Sequence, residues 1–512
     1  MGFKIIELKL PTGYSEKELT ERIAKICGSR DFSWQIETKS LDARKKGNIY
    51  WLMRIAVSSK DIEGKEPERE SLLEIPYARR NKRVVITGSG PAGFFAAWVL
   101  QKAGFDTLIL ERGAEVVKRA AGIANFEHTG EFCQVANYSF GEGGAGTFSD
   151  GKLTSRSKHI SPEREFFIGE YIDAGAPAEI RYMTHPHVGS DNLRQIVKNL
   201  RAKYTALGGV VSFENTLSDM TIKNGWIKEI ITENDTFPAD YFIVAPGLSS
   251  YETYRMLIAK GVHFRTKSFA LGCRAEHVQS DINIAQWGVD RLPGVKAAEY
   301  RVTSQADGKH PVYSFCMCPG GIVVPAAAYK HVNIVNGMSY YGRDGCFSNA
   351  ACVSGVHPDE LSDRKMTALE ALEWLENLES SFFEYAKGYM APFCSISDFL
   401  GEREPHKLPE SSYPLGLTPA PLWKMLPPAV TVSMKSGLAD FCRKIKGYEK
   451  GILLGLESKT SSPVQVIREK NGLCTGFNNL FMAGEGSGYS GGIVSSAADG
   501  IKIAMNIIAE AD

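Results

Sequence analysis

The sequence lacks several features, and each absence removes a class of protein. No stretch of about 18 apolar residues occurs, so no segment reads as a membrane span. Neither sign of charge is in excess: Lys+Arg and Asp+Glu both number 59. That balance excludes a global basic field for nucleic acid or an anionic membrane. The 10 cysteines contain no CxxC pair, which argues against a zinc ribbon or a thioredoxin-type motif. No cluster has metal-ligand spacing, so no metal is expected. The opening MGFKIIELKLPTG alternates apolar and polar residues and has neither the apolar core of a signal peptide nor the Ser/Thr of a myristoylation signal. These absences point to a cytoplasmic chain with reduced thiols.

Glycine is plentiful, at 50 of 512 residues, and it is clustered. The length suits roughly three domains of about 150 residues. Residues 1–80 read as a small βαββ, ferredoxin-like α+β module and its linker. Strands are expected near 3–9, 33–41 and 48–58, a helix over 15–27, and a polar turn Asp42-Ala43-Arg44-Lys45-Lys46-Gly47. From Arg83 the order is strand, glycine-rich turn, apolar helix, strand, which is one βαβ unit. A helix over 191–207 and a meander over 210–245 follow. Residues 262–470 have a different character, with strands at 312–316, 321–326 and 331–335, a long amphipathic helix near 362–387 and a Pro-rich loop over 405–428. Rossmann-like patterning returns at 478–486, with a closing helix over 491–509. The predicted fold class is therefore α/β. A Rossmann-type domain, 81–261 plus 471–512, carries a mixed α+β insertion at 262–470.

Gly88-Ser89-Gly90-Pro91-Ala92-Gly93 follows an apolar strand and opens an apolar helix. Gly88 permits the tight turn, Gly90 lets backbone approach a pyrophosphate, and Gly93 lets helix and strand pack closely. Glu111 ends the next strand, 23 residues after Gly88, where a carboxylate reaches ribose hydroxyls. Two further GxGxxG matches read differently. Gly141–Gly146 lacks a preceding strand and a following helix, and reads as a loop lying over a cofactor. Gly486–Gly491 leaves 24 residues after Gly488, too few for a second dinucleotide unit. A helix starting near Gly491-Gly492 would instead aim its N-terminus at the negative pyrimidine edge of a reduced flavin.

The first motif with Glu111, the meander ending at Gly247 in VAPG, and the late LFMAGEG turn resemble the three fingerprints of two-dinucleotide-binding, glutathione-reductase-like flavoproteins. FGEGGAGTFSDGKL (140–153), HPHVGSDNL (185–193), YSFCMCPGG (313–321), ESKTSSPVQVIR (457–468) and AGEGSGYSGGIVSSAADG (483–500) resemble more closely the bacterial FAD-dependent dehydrogenases with an extra N-terminal module. The resemblance implies non-covalent FAD. Gly88, Gly90, Pro91, Ala92, Gly93 and Glu111 would hold its ADP half, with Arg112 flanking the adenosine. Gly143, Gly144, Ala145, Gly146, Thr147, Asp150 and Lys152 would lie along the pyrophosphate and flavin. Gly484, Glu485, Gly491, Gly492 and Ile493 would hold the ribityl chain and the pyrimidine edge. The chain departs from the pattern at Pro246 (Thr in the wider class), Glu485 (Asp in many relatives) and Lys459 (Arg expected).

For catalysis the candidates are Cys316, Cys318 and Glu457. Alternate residues of a strand share a face, so both sulfurs can face one pocket. They read either as thiols near the flavin, even a redox pair, or as two small apolar residues on a buried face. Glu457, Lys459, Ser461 and Ser462 read as a polar-substrate site or as a solvated turn. His185 and His187 bracket Pro186 and read as structural more than acid–base groups, and Glu276-His277 stays open. The expected function is an FAD-dependent oxidoreductase acting on a small molecule, with NAD(P)H as a transient reductant. Two alternatives stand beside it: an RNA-modifying flavoenzyme with Arg44-Lys45-Lys46 as a basic tip, and a non-catalytic FAD-containing binding protein. The oligomeric state is not legible.

Overall fold

The structure is a computed structural model that describes residues 1–68, 72–155, 157–305, 308–362 and 364–511. Five strands build a wholly parallel sheet: Leu480–Met482, Tyr241–Val244, Arg83–Thr87, Asp106–Leu110 and Val210–Ser212, in that spatial order. Val84, Val85 and Ile86 are fully buried, as parallel strands covered on both faces require. Helix Pro91–Lys102 covers one face. It is apolar all round (Phe95, Ala96, Ala97, Trp98, Val99 and Leu100 are all buried) because the closing helix Ile493–Ala511 packs on its outer side. The opposite face carries the three-stranded meander Asp219–Lys223, Trp226–Ile231 and Thr236–Pro238, together with helix Tyr251–Ala259. Parallel strands bring all their carboxyl ends to one edge, where an open α/β sheet binds its ligand.

A seven-stranded mixed sheet is formed within residues 303–457 together with strand Phe269–Val278. Strand Phe269–Val278 lies in its middle, between Phe347–Val356 and Ile452–Glu457. Phe269, Leu271, Cys273 and Ala275 face a large apolar core that also holds Leu438 and Phe441 of helix Pro428–Lys444. The alternate residues Ala270, Gly272, Arg274 and Glu276 face the other way. The expected Pro-rich loop therefore contains a helix start: Pro428 stands in the first turn, where proline's missing N–H costs nothing. The long amphipathic helix runs over Ala368–Ala386, six residues later than expected at its start, because Thr367 and Glu370 form a reciprocal capping box.

The N-terminal residues form strands Gly2–Pro11, Phe32–Asp42 and Tyr50–Ser59 and helix Glu16–Cys27, in βαββ order. The sheet has three strands, all neighbours antiparallel, with Tyr50–Ser59 in the centre. Its edge strand is not left bare. The Lys39 N–H donates to Tyr182 O (2.9 Å) and Lys39 O accepts from Thr184 N (3.0 Å). The turn expected as a basic tip folds back on the rest of the chain: Arg44 pairs with Asp42, and Leu41, Ala43 and Ile49 pack against the large core. No helix among the described residues is long and apolar enough to cross a membrane.

Candidate functional site

Three segments predicted to share a cofactor meet at the carboxyl edge of the parallel sheet. A Cβ on Gly88 would lie 2.2 Å from Ala245 O, and one on Gly93 would lie 2.0 Å from Gly88 O. Gly88 also has a φ of 97°, which only glycine adopts readily. Gly484 abuts Ala92, and Gly486 abuts Gly247. The Tyr254 hydroxyl donates to both Gly247 O (3.0 Å) and Gly486 O (2.8 Å), tying the VAPG turn to the late turn. Gly90 caps helix Pro91–Lys102 with no side chain over its first N–H groups, leaving them and the positive end of the dipole available.

The Gly141–Gly146 loop lies against this helix start, with Gly144 touching Gly90 and Gly146 touching Ile493. It is buckled into place by Arg119, a fully buried guanidinium. Arg119 donates to Asn137 O (2.9 Å), Tyr138 O (2.9 Å), Glu142 O (2.9 Å) and Gly144 O (2.8 Å). Nothing in the sequence around Arg119 signals that role. A narrow crevice with about 20 Å³ of water-accessible space runs beneath, lined by Ser89, Pro91, Phe94, Ile109, Val197 and Val211 among others.

Glu111 departs from expectation. One carboxylate oxygen accepts from Ser89 N (2.8 Å) and Ser89 Oγ (2.7 Å), and the other from Gly113 N (2.8 Å) and Gly141 N (3.1 Å). A carboxylate offers about four acceptor positions, so here Glu111 organises three loops, and a ribose contact would have to displace one donor. Arg112 lies over the Phe140 ring at 3.8 Å and pairs with Glu252.

Glu485 has unused hydrogen-bonding capacity at this edge. Its carboxyl makes no hydrogen bond among the described residues and is pushed up to about 8, first by burial and then by the Cys316 sulfur, against the pull of Lys267. It lies 3.8 Å from the Cβ that Gly491 lacks, at the start of the closing helix. An acceptor-rich carboxyl without a partner beside a helix start fits a ribityl chain with its hydroxyl donors. The glycine cradle and the uncapped helix fit a pyrophosphate. These residues therefore fit FAD.

The other wall is the outward face of the seven-stranded sheet, and side chains build it. Arg274 is fully buried and pairs with Glu457 (2.7 Å). It also donates to Asn349 Oδ1 (2.6 Å), Asn336 Oδ1 (3.1 Å) and Cys316 O (2.8 Å). Glu457, expected as a catalytic carboxylate, is thus corrected to a supporting role: it neutralises Arg274, and burial raises its carboxyl. Cys316 lies within electrostatic reach of Lys152 and Asp150 of the first wall. Asp150 is buried between Lys152 (3.1 Å) and Arg343 (2.7 Å) and accepts from Ser339. Burial alone would raise its carboxyl, and the two cations hold it well below the usual range. Glu299 pairs with Lys152, Arg343 and His185; against its burial, His185 and the two cations hold it down to about 2.

The remaining candidates are committed within the fold. Lys459 pairs with Glu379 (2.8 Å), Ser461 Oγ accepts from Ala270 N (3.1 Å), and Ser462 Oγ donates to Val464 O (2.9 Å). His187 bonds Tyr341 O (3.1 Å), and His277 bonds Tyr448 O (2.9 Å). Burial lowers both imidazoles to about 4. Ser411 and Ser412 hold Glu276. Among the described residues no group of three or more His, Cys, Asp or Glu could hold a metal ion.

Residues 81–127 match the family described as an FAD binding domain, and residues 268–460 match the family described as FAD-dependent protein, C-terminal domain-like. A Clostridium beijerinckii protein, described as "Uncharacterized protein", is 39% identical over 513 residues, covering 95% of this chain and 96% of that one. Glycine oxidase from Bacillus cereus shares 11% identity over 84% of this chain and 96% of its own, with a TM-score of 0.34. A geranylgeranyl bacteriochlorophyll reductase-like protein from Thermoplasma acidophilum shares 16% identity over 84% of this chain and 78% of its own, with a TM-score of 0.36. Likenesses to solved structures this distant carry no chemistry across. The two family matches establish FAD as the cofactor.

Proposed function

We propose that this chain, which belongs to one family with the Clostridium beijerinckii protein, is an FAD-dependent oxidoreductase whose small-molecule substrate binds between the glycine-loop wall and the seven-stranded sheet. The observation that carries this reading is the junction of the two walls at buried Asp150, which pairs with Lys152 of its own wall (3.1 Å) and with Arg343 of the other (2.7 Å) and accepts from Ser339. Bound FAD supplies electron-pair chemistry, and the protein supplies position and electrostatics.

In this reading the division is 1–80, 81–261 plus 471–512, and 262–470. The helix that starts at Pro91 takes the pyrophosphate non-covalently. Glu485 takes the ribityl hydroxyls and, with its carboxyl near 8, keeps its proton at neutral pH. The start of the closing helix faces the pyrimidine edge and favours negative charge there. Lys152, Arg343 and Glu299 line the approach, where a charged substrate would exchange partners with them. NAD(P)H serves as the reductant, docking transiently at the flavin rather than in a dinucleotide unit of its own.

The test is anaerobic stopped-flow absorbance of the holoprotein at about 450 nm with NADH, NADPH and a panel of small-molecule donors. The expected result is bleaching by at least one of them. A flavin that dithionite bleaches and every donor leaves oxidised would contradict an enzyme and favour a binding protein.

A further inference from the structure

Strand Val312–Cys318 is regular up to Phe315, slips register against its neighbour Phe347–Val356, and resumes with Cys318 opposite Asn349. The irregular stretch contains Cys316, whose φ of 44° lies in the left-handed region. That conformation is unfavourable for a residue with a side chain. Arg274 keeps it in place by donating to Cys316 O at 2.8 Å.

The result is a sulfur pair. The Cys318 thiol donates to Cys316 O at 3.3 Å, and the Arg274 guanidinium, which holds the same carbonyl, also reaches Cys318 Sγ at 3.5 Å. Residues two apart in an extended chain lie at most about 7 Å apart, and the left-handed bend at Cys316 shortens that toward the Cα separation of about 4.4–6.8 Å that a disulfide bridges. The two thiols are inequivalent. The neighbouring Cys318 thiol, with Arg274 and Lys152, lowers Cys316, while Cys318 is raised. Cys316 is thus the more acidic sulfur and Cys318 the one that keeps its proton, the division that a thiol pair needs to open and close. Two unused polar groups flank the sulfurs. Asn349 is fully buried with its Nδ2 unpartnered, across the ladder from Cys318, and the Glu485 carboxyl faces Cys316.

We propose that Cys316 and Cys318 are a redox-active dithiol that exchanges an electron pair with the flavin, Cys316 being the sulfur nearer to it. This rests on the FAD reading above. In the oxidising direction the Cys316 thiolate and the Cys318 thiol become one disulfide: an S–S bond forms, the remaining S–H bond breaks, and its proton is released. The electron pair passes to the flavin, which is the oxidant. Arg274 acts as a positioning residue, holding the Cys316 carbonyl and stabilising the thiolate.

The experiment is an anaerobic dithionite titration of holoprotein pre-oxidised with ferricyanide. Wild type is expected to take up about four electrons per flavin, two for the flavin and two for the disulfide. Cys316→Ser and Cys318→Ser are each expected to take up about two, and Cys346→Ser, at an exposed cysteine, about four. Mass spectrometry of oxidised wild type should find the peptide holding both cysteines about 2 Da lighter and closed to iodoacetamide. The wild-type measurement suffices even if a variant fails to fold. Uptake of about two electrons by wild type, with both cysteines open to alkylation, would overturn the dithiol and leave the flavoenzyme standing. A chain that binds no FAD would overturn both.

Discussion

The two walls of the site are made in opposite ways. The nucleotide wall is backbone: its specificity lies in Gly88, Gly93, Gly484 and Gly486, where an added Cβ would meet another segment at 2.0–2.6 Å. The sheet wall is side chain: a fully buried Arg274 gathers Glu457, Asn349, Asn336 and Cys316 O. A backbone wall tolerates no added atom, whereas a side-chain wall tolerates no removed charge. That difference sorts the consequences of substitution.

The largest effect should follow from removing a charge. Arg274→Met leaves Glu457 buried without its partner, at a cost of about 3–5 kcal/mol. Replacing both, as Arg274→Met with Glu457→Leu, should recover much of it; urea unfolding of the single and double variants measures this. A double variant as unstable as the single one would show that the wall does not depend on that pair. Next comes adding an atom. Gly93→Val drives a side chain into Gly88 O, and a loss of about 3 kcal/mol corresponds to roughly a hundredfold weaker FAD binding. The flavin absorbance of the purified variant reads it. An unchanged flavin content would remove the glycine wall from the cofactor site.

A smaller effect comes from pH. His187 and His277 are held to about 4 by burial, so in the folded chain both are neutral where the unfolded chain, near 6.5, takes up protons. Their contribution is complete above pH 6.5 and is lost as pH falls from there toward about 4. The slope is at most about 1.4 kcal/mol per pH unit for each. Thermal melts should show Tm falling over that window, and less so in His277→Gln. A flat profile would contradict neutral, buried imidazoles. The smallest effect concerns the N-terminal sheet. Lys39 lies on its edge strand, where proline is tolerated, so Lys39→Pro removes the bond to Tyr182 O together with the partly exposed contacts of the Lys39 ammonium with Tyr14 and Trp51. A loss of about 1 kcal/mol is expected. Hydrogen exchange should quicken at 182–189, the segment that carries His185 and His187, and stay unchanged at Gly88–Gly93. Faster exchange at both would mean that the module supports the two walls alike.

The same contrast explains what could be read from the sequence. Glycine demanded by geometry leaves a mark at fixed spacing, so the first loop, the 141–146 loop and the late turn were all legible, as were the βαββ start and the closing helix. Arg274 and Arg119 leave none. A single arginine in a strand or helix looks like a surface residue until the fold buries it and supplies four carbonyls or a carboxylate. Glu457 was misread for the same reason, because its polarity pointed to substrate while its partner lay 183 positions away. Strand Phe347–Val356 was missed because it lies inside the seven-stranded sheet, almost wholly buried, and so lacks the alternation that reveals an edge.

The most direct test of the account is the flavin content of the purified chain. Acid precipitation should release about one FAD per chain into the supernatant, because the cradle holds it without a covalent bond. A chain that takes up no FAD when supplied with it, or one whose flavin stays with the precipitated protein, would contradict the site described here.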